Sequence, residues 1–120
     1  MDPCCSPVLA SLTGNRPEKV DARMVAEAAG QGDPFSLRLR DQMAAALSSG
    51  IANVINSFNP DRVVLGGSVL NGFPGLYEKV ESGALAQPLK AALYGLTIAR
   101  AELDDLAGAV GAATMALEVR

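Results

Sequence analysis

The residues best suited to chemistry are two consecutive glycines, Gly66 and Gly67, which follow the apolar run of residues 63–65 and precede Ser68. A strand that ends in a glycine pair ahead of a helix can bring bare backbone N–H groups against a phosphate or a purine. The GxGxxG dinucleotide pattern and the Gly-Lys-Ser/Thr phosphate loop are both missing here. Spacing alone therefore leaves ligand contact and an ordinary turn open, and it favours the turn.

No self-contained catalytic group accompanies the glycines. The sequence contains no His, which removes imidazole general bases and Ser-His or Cys-His pairs. Ser48, Ser49 and Ser68 consequently have no base to activate them. The acid pair Asp104-Asp105 precedes an apolar helical segment, so it indicates the start of a helix rather than an acid–base pair.

The two cysteines, Cys4 and Cys5, are adjacent in the sequence. Neighbouring cysteines rarely bridge because the geometry is strained, and a zinc site needs further ligands that the sequence does not offer. The sequence shows neither a signal peptide nor an apolar run of membrane-spanning length. We therefore expect a soluble cytoplasmic protein without a disulfide or a bound metal.

Composition and charge indicate a globular chain that does not bind nucleic acid. The 120 residues suit one domain, and 49% are hydrophobic against 19% charged. Aromatic residues make up only 4%, which predicts an aliphatic core rich in alanine. The formal charge of −3 and the lack of a basic stripe argue against an electrostatic surface for DNA or RNA.

Two helices are predicted in the first half of the chain. Asp21 is a candidate N-cap for a short helix that stops near Gly30. The second helix begins with Asp33 as its cap and with Pro34 in the first turn, where a missing N–H costs nothing. It continues until the Asn-Pro pair at residues 59–60 ends it.

The long second helix carries an apolar stripe at spacings of three and four, which predicts a buried face. The stripe consists of Leu39, Met43, Leu47, Ile51, Val54, Ile55 and Phe58. Gly50 weakens the helix by about 1 kcal/mol relative to alanine, and such a glycine is tolerated where another backbone packs closely against it. Arg38 and Arg40 are expected on a solvated face of the same helix.

Two strands alternate with helices in the second half of the chain. Residues 62–66 predict a short strand without alternation, as in a helix-flanked parallel sheet whose strands are covered on both faces. The helix that follows is expected to break near Gly83 and Pro88, and residues 96–101 predict a second strand before a closing helix. The fold class is therefore α/β and helix-rich, in the order α-α-β-α-β-α. Two strands are too few for a self-sufficient sheet.

Two phrases of the sequence, ANVINSFNPDRVVLGGSV at residues 52–69 and GAVGAATMAL at residues 108–117, resemble the ROK family of repressors, open reading frames and sugar kinases. In that family a helix with a similar Asn-Pro ending leads into a strand and a glycine loop, and the closing helix is built on Gly-Ala-Ala. The resemblance extends from Ala10 to Leu117. It divides the chain into a poorly matched start, residues 1–12, and the C-terminal part of a ROK-type lobe, residues 13–120.

The resemblance implies the actin-like, ribonuclease-H-like ATPase fold, in which two lobes enclose a cleft where a sugar and ATP meet with Mg²⁺. In kinases of the family the glycine loop lies against the nucleotide, which implies nucleotide contacts for Gly66, Gly67 and Ser68. The closing helix crosses towards the other lobe, which implies close packing at a hinge for Gly111, Ala112 and Ala113. Dimers and tetramers are common in the family, so the resemblance also implies a homo-oligomer.

The sequence also departs from the family pattern. It contains neither the DxGxT-type phosphate loop, nor the general-base aspartate, nor the cysteine-rich zinc motif. We therefore expect the nucleotide-side portion of a sugar kinase without its N-terminal lobe, inactive alone and weakly stable or self-associated through open strand edges. The alternative is part of a repressor that senses a sugar or sugar phosphate, which Ser68 favours because kinases of the family often carry a third glycine there.

Overall fold

The computed structural model describes residues 6–118, which form six α-helices and two strands. The elements are α1 (Pro7–Thr13), α2 (Ala22–Gly30), α3 (Pro34–Phe58), β1 (Arg62–Leu65), α4 (Ser68–Gly72), α5 (Leu76–Ala86), β2 (Thr97–Arg100) and α6 (Ala107–Glu118). Short 3₁₀ turns occupy Pro17–Lys19, Lys90–Leu93 and Asp104–Leu106. The six predicted elements are present in the predicted order. The structure adds two helices to them, α1 and the five-residue α4.

β1 and β2 form a parallel pair in a register that places Leu65 opposite Arg100. The pairing continues past the strands, because the Ala101 N–H donates to the Leu65 carbonyl oxygen at 2.8 Å. Val63 and Leu65 are half-buried, and Leu65 packs against the helical core, whereas Val64 between them is 57% exposed. The prediction of a strand covered on both faces is therefore wrong within residues 6–118.

The core lies between α1, α2, α3 and α5. Its buried members come from α1, α2, α3, α5 and the turn before α5. They are Leu9, Val25, Ala28, Ala29, Ala44, Phe73, Leu76 and Val80. The predicted aliphatic, alanine-rich core is confirmed, and Phe73 is the aromatic member of this cluster.

The apolar stripe predicted to be buried along α3 is correct only in part. Ile55 is fully buried, whereas Leu47 and Val54 are each 46% exposed and Phe58 is 77% exposed. Most of the buried residues of α3 are small instead, because small side chains let a neighbouring helix approach closely. Gly50 is exposed, and a Cβ there would meet no described atom within 4 Å, so the predicted close packing at Gly50 is wrong.

α3 and α5 cross closely at Ser48 and Gly83. The buried Ser48 hydroxyl donates to the Val80 carbonyl oxygen at 3.1 Å. A Cβ built on Gly83 would lie 2.9 Å from Ser48 Cβ, closer than real side chains come. α5 runs through Gly83 and ends before Pro88, so the break predicted at Gly83 is wrong and the one near Pro88 is confirmed.

Asp33 joins the start of α3 to the start of α1. Its carboxylate accepts from the Ser36 N–H at 2.8 Å and from the Ser6 hydroxyl at 2.7 Å, while the Ser6 oxygen accepts from the Leu9 N–H at 3.1 Å. Burial raises the pKa of Asp33, but these hydrogen bonds outweigh it, so that the pKa lies below its ordinary value of 3.8. The predicted caps of α3 at Asp33 and of α2 at Asp21 are confirmed.

α6 adds little to the packed core, because every one of its residues is exposed. Its apolar side chains include Met115 and Leu117, which are largely exposed. The radius of gyration is 17.8 Å, against about 14 Å for a compact domain of this length. The described chain is thus flat and open, and none of its helices has the length and apolar character needed to cross a membrane.

Replacing Gly83 by alanine is expected to destabilise the fold, although alanine favours a helix by about 1 kcal/mol over glycine. The added methyl group collides with Ser48, which we expect to cost about 1–3 kcal/mol in the free energy of unfolding. Gly50→Ala is the matched control, because its methyl group enters open space and should raise stability. Urea denaturation compares the two, and equal stability would contradict the close crossing.

Asp33 should make the stability of the fold depend on pH in the acid range. The folded carboxylate binds its proton less tightly than the unfolded one, so its contribution is present above pH 3.8 and is lost as the pH falls through the lower folded pKa. Asp33→Asn keeps a capping oxygen but cannot titrate. Its urea midpoint should therefore fall less steeply than that of the unchanged chain below about pH 4. Parallel curves would refute this role.

Candidate functional site

Gly66 directly follows β1 and lies beside Ala101, which directly follows β2. A Cβ built on Gly66 would lie 2.7 Å from Ala101 Cβ, a distance that real side chains do not reach. The hydrogen bond from the Ala101 N–H to the Leu65 carbonyl oxygen holds the two chains at this spacing. Gly66 is consequently required by strand packing, whatever else the loop does.

Gly67 is required for a different reason. Its backbone has φ +123° and ψ 150°, a conformation that side chains disfavour. A Cβ there would meet no atom of the described chain within 4 Å, so the backbone faces open space. Gly67 caps α4, and its carbonyl oxygen accepts from the Asn71 N–H at 3.1 Å. The loop therefore leaves its backbone open to a neighbouring molecule.

A cleft of about 570 Å³ opens between α2 and the segment that follows the glycine pair, and Ser68 lines it. Its polar groups also include Arg23 and Glu27, which lie one helical turn apart on α2. The other walls are small or apolar and consist of Ala22, Ala26, Gly30, Val69, Gly72, Phe73 and Pro74. A cleft of this size with few polar groups is typical of a small-molecule site.

Sequence reasoning missed the contribution of α2 to this cleft. Arg23 and Glu27 are the only charged residues of α2, and their spacing puts both on one side of the helix. That spacing is the one signal in the sequence, but it is equally typical of a solvated helix surface. The packing of α2 beside α4 is what turns the pair into a cleft wall.

The turn between α4 and α5 is held by Arg40 of α3. Arg40 Nη1 donates to the Pro74 carbonyl oxygen at 3.4 Å, and its Nε and Nη2 each lie 2.9 Å from Asp41 Oδ1. Lys79 Nζ lies 3.2 Å from the same oxygen. Hydrogen bonds from Arg40 and Lys79 lower the pKa of Asp41. The predicted solvated face is thus wrong for Arg40, whose side chain is only 17% exposed, whereas Arg38 is exposed as predicted.

A second cationic contact lies at the carboxyl end of β2. The Arg100 guanidinium lies 3.8 Å over the centre of the Tyr77 ring, and its Nη2 donates to Glu78 Oε1 at 2.8 Å. Burial raises the pKa of the Tyr77 hydroxyl, and the Glu81 carboxylate adds to the effect. The contact ties the sheet to α5 and so fixes the end of β2 beside Gly66.

The other predicted site residues are not part of this cleft. Gly111, Ala112 and Ala113 are exposed on α6, and their hinge role stays a prediction. Asp104–Leu106 forms the 3₁₀ turn that leads into α6, in agreement with the predicted helix start.

The sequence predicts no chemistry for the remaining serines and the cysteines, and Ser48 and Ser49 do not line the cleft. The Ser49 hydroxyl donates to Gln87 Oε1 at 3.2 Å, and Ser48 is used in the α3–α5 crossing. Cys4 and Cys5 lie outside the described residues. Within residues 6–118, no three His, Cys, Asp or Glu side chains come close enough together to hold a metal ion.

Comparison with known proteins establishes the class of this chain. The model of the ROK family matches residues 4–119, and the chain belongs to the ROK family. It is 31% identical over 113 residues to the glucokinase of Thermotoga maritima, covering 94% of this chain and 35% of the glucokinase. It is 32% identical over 90 residues to the DNA-binding transcriptional dual regulator NagC of Escherichia coli, covering 75% of this chain and 22% of NagC.

Solved structures point to the same two kinds of protein. A ROK family transcriptional regulator, a homolog of the E. coli MLC protein, superposes with a TM-score of 0.58 at 27% identity, over 78% of this chain and 25% of the regulator. A candidate sugar kinase from Cytophaga hutchinsonii superposes with a TM-score of 0.67 at 20% identity, over 82% of this chain and 33% of the kinase, and shows the fold alone. The chain spans no more than 35% of these relatives.

Gly66→Ala should destabilise the sheet end, because the new methyl group meets Ala101 at an impossible distance. Ala101→Gly in the same chain should restore most of the loss, which we expect to be about 1–3 kcal/mol in the free energy of unfolding. Gly67→Ala should also be destabilising, by about 1–3 kcal/mol through backbone strain, and Ala101→Gly should not restore it. Urea denaturation of the five chains tests this; rescue at both glycines or at neither would refute it.

Proposed function

We propose that this chain forms the nucleotide-side portion of a ROK-type sugar kinase with the actin-like fold. The cleft between α2 and α4 takes the adenosine of ATP, and Gly66, Gly67 and Ser68 lie against the nucleotide. One observation carries the proposal. The glycine loop that the family resemblance assigns to the nucleotide opens directly beside a cleft of about 570 Å³ to which Ser68 belongs.

The chemistry of the cleft walls suits a purine nucleoside. A purine has two apolar faces, which would pack between Ala26 and Gly30 on α2 and Phe73 on the opposite wall. Its edge and the ribose hydroxyls need hydrogen-bonding groups, and Arg23 and Glu27 offer a donor and an acceptor. The bare backbone at Gly67 leaves room for the phosphates to pass.

The reaction proposed for the whole protein is phosphoryl transfer from ATP to a hexose hydroxyl. Such catalysis consists mainly of positioning and of charge stabilisation around the transferred phosphoryl group. The sequence holds neither the DxGxT-type phosphate loop nor the general-base aspartate of the family, so these residues by themselves are proposed to bind and orient ATP without transferring phosphate. Residues 6–118 contain no three-residue acidic cluster for Mg²⁺, and we assign it no ligand in this chain.

The second candidate is part of a sugar-sensing ROK repressor. NagC matches this chain at 32% identity, as well as the Thermotoga glucokinase does at 31%. Ser68 also stands where kinases of the family often carry a third glycine. In a sensor of this kind the protein binds a sugar or sugar phosphate, and the glycine loop serves as a turn.

Titration of the ¹⁵N-labelled chain with ATP, followed by NMR, tests the proposal. ATP should produce saturable shifts at amides of the glycine loop and of the cleft-facing side of α2. Ala22→Phe places a ring in the cleft and should weaken ATP binding about tenfold or more, since the ligand loses its place beside α2. Ala45→Phe, on an exposed position of α3 outside the cleft, is the matched control and should leave binding unchanged.

The two candidate functions give different titrations. Saturable ATP shifts that Ala22→Phe removes and Ala45→Phe keeps support the nucleotide site. No saturable ATP shift in the unchanged chain would contradict it and would favour the sensor. Shifts that survive Ala22→Phe would place the nucleotide elsewhere on the chain and overturn the assignment of the cleft.

A further inference from the structure

We infer that Arg40 is a positioning residue that sets the width of the cleft from outside it, an inference that rests on the proposed nucleotide site. Arg40 is not among the residues that line the cleft. It contacts the turn between α4 and α5, and this turn supplies Phe73 and Pro74 to the cleft wall. Any effect of Arg40 on a ligand in the cleft therefore passes through the turn.

The Arg40 guanidinium contacts Asp41 through one edge and the Pro74 carbonyl oxygen through another. Nε and Nη2 lie 2.9 Å from Asp41 Oδ1, while Nη1 reaches the Pro74 carbonyl oxygen at 3.4 Å. Lys79 at 3.2 Å holds the same Asp41 oxygen from α5. A planar fork can serve a carboxylate and a carbonyl at once, which an ammonium on a flexible chain does not reproduce.

The turn is packed between α3, which carries Arg40, and α2, which carries Gly30. Gly75 has φ +72°, and a Cβ there would lie 3.3 Å from Arg40 Nη1, so the guanidinium lies directly against the turn. From α2, the position of a Gly30 Cβ is 3.7 Å from Pro74 Cγ. Pro74 therefore lies between α2 and Arg40, and withdrawal of Arg40 lets the cleft wall move away from α2.

Adenosine is the right probe because it carries no charge. Asp41 and Lys79 have side chains that are 50% and 45% exposed, so salt screens their contacts with each other and with Arg40. The affinity of the chain for adenosine should therefore fall between low and high salt in part through the Arg40 contacts, in addition to any screening of Arg23 and Glu27 in the cleft. Salt would not act on a neutral ligand by competing for it directly.

Adenosine titrations of five chains by NMR test the inference, each at low and at high salt. Arg40→Met should bind adenosine about three- to fivefold more weakly than the unchanged chain at low salt, and its affinity should change less with salt than that of the unchanged chain. Arg40→Lys should behave like Arg40→Met, because the fork and not the charge positions the turn. Arg38→Met, an exposed arginine of the same helix outside the cleft, is the matched control and should change nothing.

Asp41→Asn completes the set and covers the case in which both Arg40 variants fail to fold. It leaves Arg40 in place, weakens its anchor and should reduce adenosine affinity about twofold. No saturable adenosine binding by the unchanged chain overturns the nucleotide site and this inference together. Binding by the unchanged chain, with equal affinity in every variant that folds, overturns the role of Arg40 alone. Full rescue by Arg40→Lys also overturns it, because charge would then suffice.

Discussion

The close crossing of α3 and α5 sets the positions of the elements that form the cleft. α5 is joined to α4 by a short turn, and α4 follows the glycine pair, so the distance between α3 and α5 fixes where the loop and the turn can lie. Ser48 and Gly83 permit that distance because neither places more than a small side chain between the helices. Two turns before Ser48, Arg40 then reaches the Pro74 carbonyl oxygen. A larger residue at Gly83 would move all of these together.

Local signals in the sequence predicted the parts of the fold that local chemistry decides. The caps at Asp21 and Asp33 depend on one side chain and the next three residues, and both are confirmed. Neither Gly50 nor Gly83 has the role that was predicted for it, because both lie inside helices and only the neighbouring helix decides which glycine is closely packed. The contribution of α2 to the cleft wall could not be predicted for the same reason, since no feature near Arg23 indicates that α4 lies opposite.

The apolar surfaces of this chain show where its fold is open. A groove of about 330 Å³ runs between α3 and β1, lined by Leu47, Ile51, Val54 and Val63 with two small residues, and α6 is exposed along its whole length. Exposed apolar surface on this scale is unusual in an isolated compact domain. This chain spans at most 35% of the length of the relatives that it matches.

The glycine pair by itself does not separate a kinase from a repressor. Gly66 is imposed by the approach of Ala101, and Gly67 by a backbone angle of +123°, and both constraints belong to the strand ending rather than to a ligand. A sensor with the same strand ending would keep both glycines even if it did not bind ATP. The small residues of α2 do not separate the two either, since Ala26 packs against the core and a Cβ on Gly30 would lie 3.7 Å from Pro74 Cγ without any ligand. A kinase and a sensor of this family would therefore differ in what binds in the cleft, and not in the residues that the fold itself requires around it.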